Sequence, residues 1–212
     1  MPVDLATLAG FIAASLAIVL SPGPDTLLIL RYTLASGQRV GLATVAGVQL
    51  GLLGHTLLAV LGVSLIIATS PLLFRSVAIA GALYLGWLGV QGIRPHGLMR
   101  LDSTRNTVSA RKACRDALFT NLLNPKVILL FLALLPNFVA PERGRVALQL
   151  IILGITLIIV NTLWQLPLAW GAQRIRHWMS RPRVERAVSV TTGVILLAIA
   201  LLMLWENLGA GG

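Results

Sequence analysis

Residues 20–27 read LSPGPDTL, and they interrupt an apolar run that begins with LATLAGFIAASLAIVL at residues 5–20 and resumes with LLIL. Proline lacks the backbone N–H and its ring clashes with the preceding turn, so Pro22 and Pro24 should break a helix here. Asp25 follows the break directly. A carboxylate at the centre of a bilayer costs about 2.5–3.5 kcal/mol on insertion scales, and it usually persists because it faces a partner or a water-filled cavity.

The composition is that of an integral membrane protein. Of the 212 residues, 57% are hydrophobic and 11% are charged, and the mean hydropathy is +0.87. A soluble domain carries about 25% charged residues, so this chain has too few to cover a water-facing surface. The formal net charge is +10, but the basic residues lie in the short gaps between apolar runs, where they orient a protein in the bilayer. This distribution does not favour a nucleic-acid partner.

The few reactive side chains exclude most kinds of enzyme and metal site. Cys114 is the single cysteine, which excludes an internal disulfide, a paired-cysteine redox site and a thiolate metal site. His55, His96 and His177 stand far apart and show no ligand spacing. We therefore expect no cofactor, no metal ligands, no catalytic residues and no enzymatic activity.

Several apolar runs are long enough to cross a bilayer, which takes about 20 residues. They are continuous rather than alternating, so they predict helices and not the strands of a barrel. There are six, with approximate limits 4–36, 41–69, 71–93, 113–135, 146–172 and 187–207. The longest polar stretch is too short for a soluble domain. We therefore predict a single transmembrane domain over 1–212, with a first repeat at 4–93, a basic cytoplasmic loop at 94–112 and a second repeat at 113–207.

Arginine and lysine are distributed unevenly between the two sides of the predicted bundle. Of the 17 such residues, 13 fall in the loops after the first, third and fifth runs, and three fall on the opposite side. The positive-inside rule places the side with the larger number in the cytoplasm. Both termini are therefore predicted to lie outside the cytoplasm.

A second break with a charge stands in the fourth run, TNLLNPKVILLFLALLP at residues 120–136. Pro125 should interrupt the helix, and Asn124 can cap the segment that restarts after it. Lys126 follows the proline, as Asp25 does in the first run. Lipid cannot satisfy unwound backbone, so both breaks should line a cavity or be buried in protein.

The order of these features is repeated in the two halves of the chain. Each half begins with a broken helix that carries a charge after the break, and its second run carries side-chain amides: Gln49 in one half, Asn161 and Gln165 in the other. Because each half has three runs, the second half crosses in the opposite sense. We predict an all-α integral membrane protein of six transmembrane helices in two inverted three-helix repeats, with helices 1 and 4 broken near the midplane.

This arrangement favours a zwitterionic ligand. The N-termini of the two restarting half-helices would point towards the midplane with partial positive charge, which suits a carboxylate. Lys126 would add a full positive charge, and Asp25 could receive an ammonium group or a proton. Simpler structural roles are also open: Asp25 as a first-turn acid, Lys126 as its counter-ion, and His55 as hydrogen-bonded packing. Asn161 and Gln165 share a helix face, where they can bind substrate or join helices.

The second run carries glycines at a spacing that suits close helix packing, Gly47 and Gly51. Six helices also make a thin wall around a cavity, which favours a homodimer. The glycine-rich second run is then the candidate contact between subunits.

Two motifs together resemble a known family. Ser21-Pro22-Gly23-Pro24-Asp25 in the first run and Asn124-Pro125-Lys126 in the fourth resemble the lysine exporter family of amino-acid efflux proteins, the LysE/RhtB group. The stretch GQRVGLATVAG at 37–47 also resembles that family, and the resemblance covers essentially the whole chain. It implies export of amino acids or close derivatives across the bacterial cytoplasmic (inner) membrane, driven by the proton gradient.

We therefore predict a secondary transporter that moves a small zwitterionic solute by alternating access around a midplane site, with the coupling to H+ that the resemblance implies. The residues predicted to bind the solute or the coupling ion are Asp25, Asn124, Lys126, Asn161 and Gln165. The residues predicted to keep the backbone open are Ser21, Pro22, Gly23, Pro24 and Pro125. The alternative is an inorganic-ion (metal) exporter of related architecture, which would need more acids among the apolar runs than Asp25 alone.

Overall fold

The computed structural model describes residues 2–21, 23–69, 107–172 and 182–209, with further positions between 72 and 93 that are helical. No described residue lies in a strand. The main ranges form α1 (Leu5–Leu20), α2 (Pro24–Ser36), α3 (Gln38–Thr69), α4 (Ala110–Leu122), α5 (Pro125–Asn137), α6 (Val146–Trp170) and α7 (Pro182–Gly209), with a short 3-10 turn at Pro141–Arg143 before α6. The predicted all-α class is confirmed over this part of the chain.

Both predicted helix breaks are present. The chain bends by 55° between α1 and α2 and by 58° between α4 and α5. Pro24 and Pro125 each occupy the first turn of the helix that follows the bend, a position where the missing N–H would have had no helical acceptor. Gly37 ends α2 with a φ of +88°, and its N–H donates to the Thr33 carbonyl at 2.9 Å. Glycine suits that end because it adopts positive φ without steric cost.

Two predicted boundaries differ from the structure. The basic loop, predicted at 94–112, ends earlier because Ser109 Oγ accepts a hydrogen bond from the Lys112 N–H and so begins α4 at Ala110. The sixth run, predicted at 187–207, is part of the longer α7. Residues 94–106 of the loop lie outside the described residues.

The helices have the length and composition of membrane spans. Two helical segments of 25 residues are long and apolar enough to cross a membrane: Gln38–Gly62 within α3 and the whole of α6. Their mean hydropathies are 1.7 and 2.4. The pair α1 and α2, and the pair α4 and α5, are each long and apolar enough when the two helices are counted as one bent span. The described residues therefore contain two to four candidate membrane spans. Large apolar side chains point outwards from these helices, among them Leu58, Leu61 and Leu163. A lipid-facing surface accounts for such a patch, which a soluble monomer rarely exposes.

The two halves of the chain interlock rather than lie side by side. The long helix of the first half, α3, packs against α4 and α6 of the second half, and α1 packs against α6 and α7. The largest apolar cluster joins α1 to the second half through buried residues such as Phe11, Leu134, Leu153 and Met203. Each broken helix therefore has the opposite half of the chain as its main neighbour.

Polar contacts join the halves at both ends of the α1–α2 pair. Near the start of α1, Arg143 Nη1 lies 2.9 Å from Asp4 Oδ2, and Asp4 Oδ1 accepts from the Thr7 N–H at 2.7 Å. The hydrogen bonds from Thr7 and the charge of Arg143 hold the pKa of Asp4 below its ordinary value. Towards the end of α2, the Tyr32 hydroxyl donates to Asp116 Oδ2 at 2.8 Å.

Glycines on α3 allow α4 to approach closely. A Cβ on Gly47 would overlap the Cys114 carbonyl oxygen, and one on Gly51 would overlap the Asn121 side chain. The close-packing interpretation of this spacing is therefore confirmed. Gly47 and Gly51 themselves are buried against α4 of the same chain, and the prediction that the second run contacts a second subunit stays a prediction.

Gly47→Ala should destabilise the protein, because the added methyl meets backbone that cannot rotate away. Overpacking of this kind costs about 1–3 kcal/mol, so the thermal unfolding midpoint of detergent-purified protein should fall. Gly62→Ala is the matched control, since nothing lies within 4 Å of a Cβ there. Equal midpoints for the two variants would contradict the close contact between α3 and α4.

Candidate functional site

A cavity lined by both polar and apolar side chains lies where the two helix breaks face each other. Its volume is about 50 Å³, and since roughly 10–15 Å³ accommodates one water molecule, it has room for a few waters. Apolar side chains of α3, α5 and α6, such as Leu52, Leu130 and Leu157, form part of the wall. The predicted residues that the structure brings together in the lining are Ser21, Gly23, Asp25, Asn124, Lys126, Asn161 and Gln165.

Two of the prolines that were predicted to keep the backbone open lie at the starts of helices rather than in the cavity lining. Pro24 and Pro125 are the first residues of α2 and α5, and they are not among the described residues that line the cavity. Pro22 lies outside the described residues. Pro24 and Pro125 mark the points at which a new helix begins after each bend, a position that suits proline.

Lys126 replaces a backbone donor that proline removes. In a continuous helix the Ile18 carbonyl would accept from the N–H of residue 22, but that residue is Pro22, which has none. Lys126 Nζ donates to this carbonyl at 3.2 Å and to the Ser21 carbonyl at 2.8 Å. The lysine of the second half therefore closes the C-terminal end of α1, where the helix dipole also favours a cation.

Asp25 lies in the same cavity but does not pair with the lysine. Within the described part of the chain, no contact shorter than 4 Å joins the Asp25 carboxylate to Lys126 Nζ. Asp25 Oδ2 instead accepts from Asn121 Nδ2 at 2.8 Å. Lys126 therefore makes no direct salt bridge with Asp25, and its ammonium group donates to two backbone carbonyls instead.

Two buried oxygens of residues that line the cavity, Asp25 Oδ1 and Asn121 Oδ1, have no hydrogen-bond partner among the described residues. Asn121 is fully buried. A buried polar atom without a partner costs about 1–3 kcal/mol, so such atoms are rare in folded proteins and call for an explanation. Here both atoms are acceptors that could receive N–H or O–H groups.

Asn121 is a residue that sequence reasoning missed. Its signal was present: it stands four residues before Pro125, so its carbonyl also loses its helical donor. The Asn124 N–H reaches that carbonyl at 3.1 Å, and His55 Nε2 lies 3.3 Å from it. His55 is buried and stacks on Phe131 with ring centroids 5.3 Å apart, which agrees with its interpretation as hydrogen-bonded packing.

The remaining predicted residues have identifiable partners. Asn124 Oδ1 accepts from the Lys126 N–H at 3.0 Å, so the predicted cap of the restarting helix is confirmed. On α6, Gln165 Oε1 accepts from Gln49 Nε2 at 3.0 Å, and Asn161 Nδ2 lies 3.4 Å from Gln49 Oε1. These amides therefore join α3 to α6, and Asn161 and Gln165 also line the cavity.

The described residues contain no group of three or more His, Cys, Asp or Glu side chains placed to hold a metal ion. Among those that line the cavity, Asp25 is the one acid and Lys126 the one base. The site therefore offers one carboxylate, one ammonium and several amides, a set that matches a small polar solute with both donor and acceptor groups.

The sequence is similar to known proteins along nearly its whole length. Residues 16–207 match the family described as LysE type translocator. The homoserine/homoserine lactone efflux protein of Salmonella typhimurium (strain LT2) is 33% identical over 193 residues, which are 91% of this chain and 93% of the relative. No solved structure gives a significant match.

Two further relatives cover similar shares of the chain. The uncharacterized membrane protein YrhP of Bacillus subtilis is 31% identical over 92% of this chain and 97% of its own length. The leucine efflux protein of Klebsiella pneumoniae is 27% identical over 90% of this chain and 91% of its own length.

Lys126→Met should lower the stability of the fold, because it leaves the carbonyls of Ile18 and Ser21 without a donor in a partly buried place. The expected cost is about 1–3 kcal/mol, read as a lower thermal unfolding midpoint in detergent. Lys112→Met is the matched control, since its side chain is 50% exposed and pairs with Asp116 at the surface, where ion pairs contribute about 0–1 kcal/mol. If Lys126→Met unfolded at the wild-type midpoint, Lys126 would not be holding the end of α1.

Proposed function

This chain belongs to the LysE type translocator family, and from that premise we propose that it exports amino acids or close derivatives from the cytoplasm. The observation that carries the proposal is the pair of unpartnered buried oxygens, Asp25 Oδ1 and Asn121 Oδ1, on residues that line a cavity between two broken helices. Relatives named for homoserine, homoserine lactone and leucine efflux support a small amine-bearing cargo.

The proposed roles follow the charges in the cavity. Asp25 binds the cargo ammonium group or the coupling proton. Lys126, together with the N-terminal ends of α2 and α5, faces the cargo carboxylate. The Lys126 ammonium group has three N–H donors, and two of them donate to backbone carbonyls. The third N–H is left for a ligand. Asn161 and Gln165 contribute amide hydrogen bonds, and Asn124 holds the start of α5.

Proton coupling follows from competition for one carboxylate. A proton and a cargo ammonium group are both positive, and both would occupy the free side of Asp25. Because one carboxylate cannot hold both, binding of the cargo releases the proton, and binding of the proton releases the cargo. An antiporter that exchanges H+ for an amino acid needs no further ionisable group than this.

Our proposal of alternating access starts from the polar contacts that join the two halves of the chain at both ends of the α1–α2 pair. Towards one end, Tyr32 bonds to Asp116, and towards the other, Arg143 pairs with Asp4. In this proposal the two halves of the chain move apart when the cargo is loaded. We propose that these two contacts open in turn around the site.

The proposed membrane arrangement has six spans in two inverted repeats, with the breaks near the midplane. Its support is the matching bends of 55° and 58° and the same order of proline followed by a charge in both halves. The distribution of 13 basic residues against three supports the proposal that both termini lie outside the cytoplasm and that the protein resides in the bacterial cytoplasmic membrane. A homodimer is part of the proposal, with a contact that does not involve Gly47 and Gly51. Nothing among the described residues favours the inorganic-ion alternative.

Asp25→Asn should abolish export while leaving the protein folded, because the amide keeps the shape of the carboxylate but neither attracts an ammonium group nor binds a proton. The measurement is the amino-acid content of the medium of expressing and non-expressing cells, followed by mass spectrometry, together with growth under a toxic amino-acid analogue. Glu142→Gln is the matched control, since Glu142 is an exposed acid that does not line the cavity. Wild-type export by a well-expressed Asp25→Asn protein would rule out the carboxylate as the binding group.

The topology can be tested with reporters joined to the C-terminus. Alkaline phosphatase, which is active only outside the cytoplasm, should be active there, and green fluorescent protein should be dark when exported unfolded. A fusion after residue 106, in the predicted cytoplasmic loop, should behave in the opposite way. The reverse result at either position would contradict the proposed orientation.

A further inference from the structure

Three side-chain amides form one hydrogen-bonded chain between α3 and α6. Gln49 of α3 is the middle member: its Nε2 donates to Gln165 Oε1 at 3.0 Å, and its Oε1 accepts from Asn161 Nδ2 at 3.4 Å. Asn161 and Gln165 are buried and line the cavity, whereas Gln49 is not among the described residues of the lining. Gln49 therefore acts on the cavity through the two amides that it holds.

This chain sets the two amides of α6 in opposite senses. A glutamine amide has a donor end and an acceptor end, so one of its partners accepts and the other donates. Asn161 Oδ1 is thereby left as an acceptor and Gln165 Nε2 as a donor. Within the described residues neither atom has another hydrogen-bond partner, and neither is fully enclosed in protein. Reversing the direction of the whole chain would exchange the two roles and still leave one donor and one acceptor.

The network lies on a closely packed part of the contact between α3 and α6. Thr56 and Gly154 stand seven residues, about two helical turns, from Gln49 and Asn161. A Cβ on Gly154 would overlap the Thr56 side chain, so the two backbones are close there. Asn161 and Gln165 are four residues apart on one face of α6, and their amides are therefore neighbours. Packing holds the middle glutamine in place, and the glutamine holds the amides.

An uncharged donor beside an uncharged acceptor matches a group that both donates and accepts hydrogen bonds. Hydroxyl and carboxamide groups do both. An apolar group of the same shape would leave the two amides unpaired in a buried place, which is unfavourable. Among the described lining residues, Asp25 and Lys126 carry the charges that suit the ammonium and carboxylate of an amino acid. The amide pair is then left for the side chain of the cargo.

We propose that Gln49 is a positioning residue for cargo selection, and that this chain prefers amino acids with an uncharged polar side chain to apolar ones of the same shape. This inference rests on the proposed function, since it names the substrate class of the same site. The relatives include proteins named for efflux of homoserine, which has a hydroxyl group, and of leucine, which has none. Similarity to them does not decide this choice.

The first test compares cargoes of equal shape in the wild-type protein. Purified protein is reconstituted into liposomes, and the exchange of labelled amino acid is measured at low concentration for L-threonine against L-valine and for L-asparagine against L-leucine. Threonine has a hydroxyl group where valine has a methyl group, and the asparagine side chain has nearly the shape of the leucine side chain. The polar member of each pair should exchange about tenfold faster or more, because a site built to hydrogen-bond a group rejects the analogue that lacks it.

Gln49→Met removes the middle of the chain with little change in side-chain length. Asn161 and Gln165 can then bond to each other, which uses up the acceptor and the donor. The ratio of threonine to valine exchange rates should fall by about fivefold or more, mainly through a higher KM for threonine. Gln38→Met should keep the wild-type ratio, since Gln38 is an exposed glutamine of the same helix that does not line this cavity. A ratio of rates does not depend on the amount of folded protein.

The outcomes separate this inference from the proposed function. If valine and leucine exchange as fast as threonine and asparagine, or if none of the four exchanges while another amino acid accumulates in the medium of expressing cells, the inference is overturned and export stands. If Gln49→Met slows all four cargoes equally, Gln49 only joins the helices and has no positioning role. If no amino acid is exchanged or exported at all, the proposed function fails and the inference fails with it.

Discussion

The bonds from Lys126 to the carbonyls of Ile18 and Ser21 hold the interrupted first helix to the second half of the chain. They exist because Pro22 cannot donate to Ile18, and a carbonyl left without a donor inside a membrane protein costs several kcal/mol. A lysine buried in the same place would also be costly by itself. The hydrogen bond between the Lys126 ammonium and the Ile18 carbonyl therefore offsets the free-energy cost of burying either group alone. It can form only when the two halves of the chain interlock.

The second break is completed in a related way from the first half. Pro125 leaves the Asn121 carbonyl without its helical donor, and His55 of α3 lies against it. The side chain of Asn121 then reaches Asp25 of α2. Each break is thus contacted by the opposite half of the chain, and the backbone groups that proline frees become the reason that polar side chains converge. The cavity follows from this convergence, because two bent helices cannot pack tightly against each other along their whole length.

The residues that sequence patterns identified were those that break a general rule. Prolines within apolar runs and single charges at membrane depth are costly, so the stretch at 20–27 and the one at 120–136 stood out, and the structure brings both to one cavity. Asn121 did not stand out, because an asparagine in a mostly apolar helix is less costly than a charge. The glycines of α3 were recognised as contact residues, but the neighbour that they contact, α4 rather than a second subunit, was not predicted.

Composition, apolar run length and proline position by themselves determined that this chain is helical, belongs in a membrane and breaks its first and fourth runs, since those properties depend on local chemistry and on the bilayer as solvent. Tertiary structure decided which acceptor each donor meets. From the sequence, opposite charges after two breaks suggested an ion pair, but the lysine prefers carbonyls that lie about a hundred residues away in the chain. Partner choice depends on distances between segments remote in sequence, and no local pattern encodes those distances.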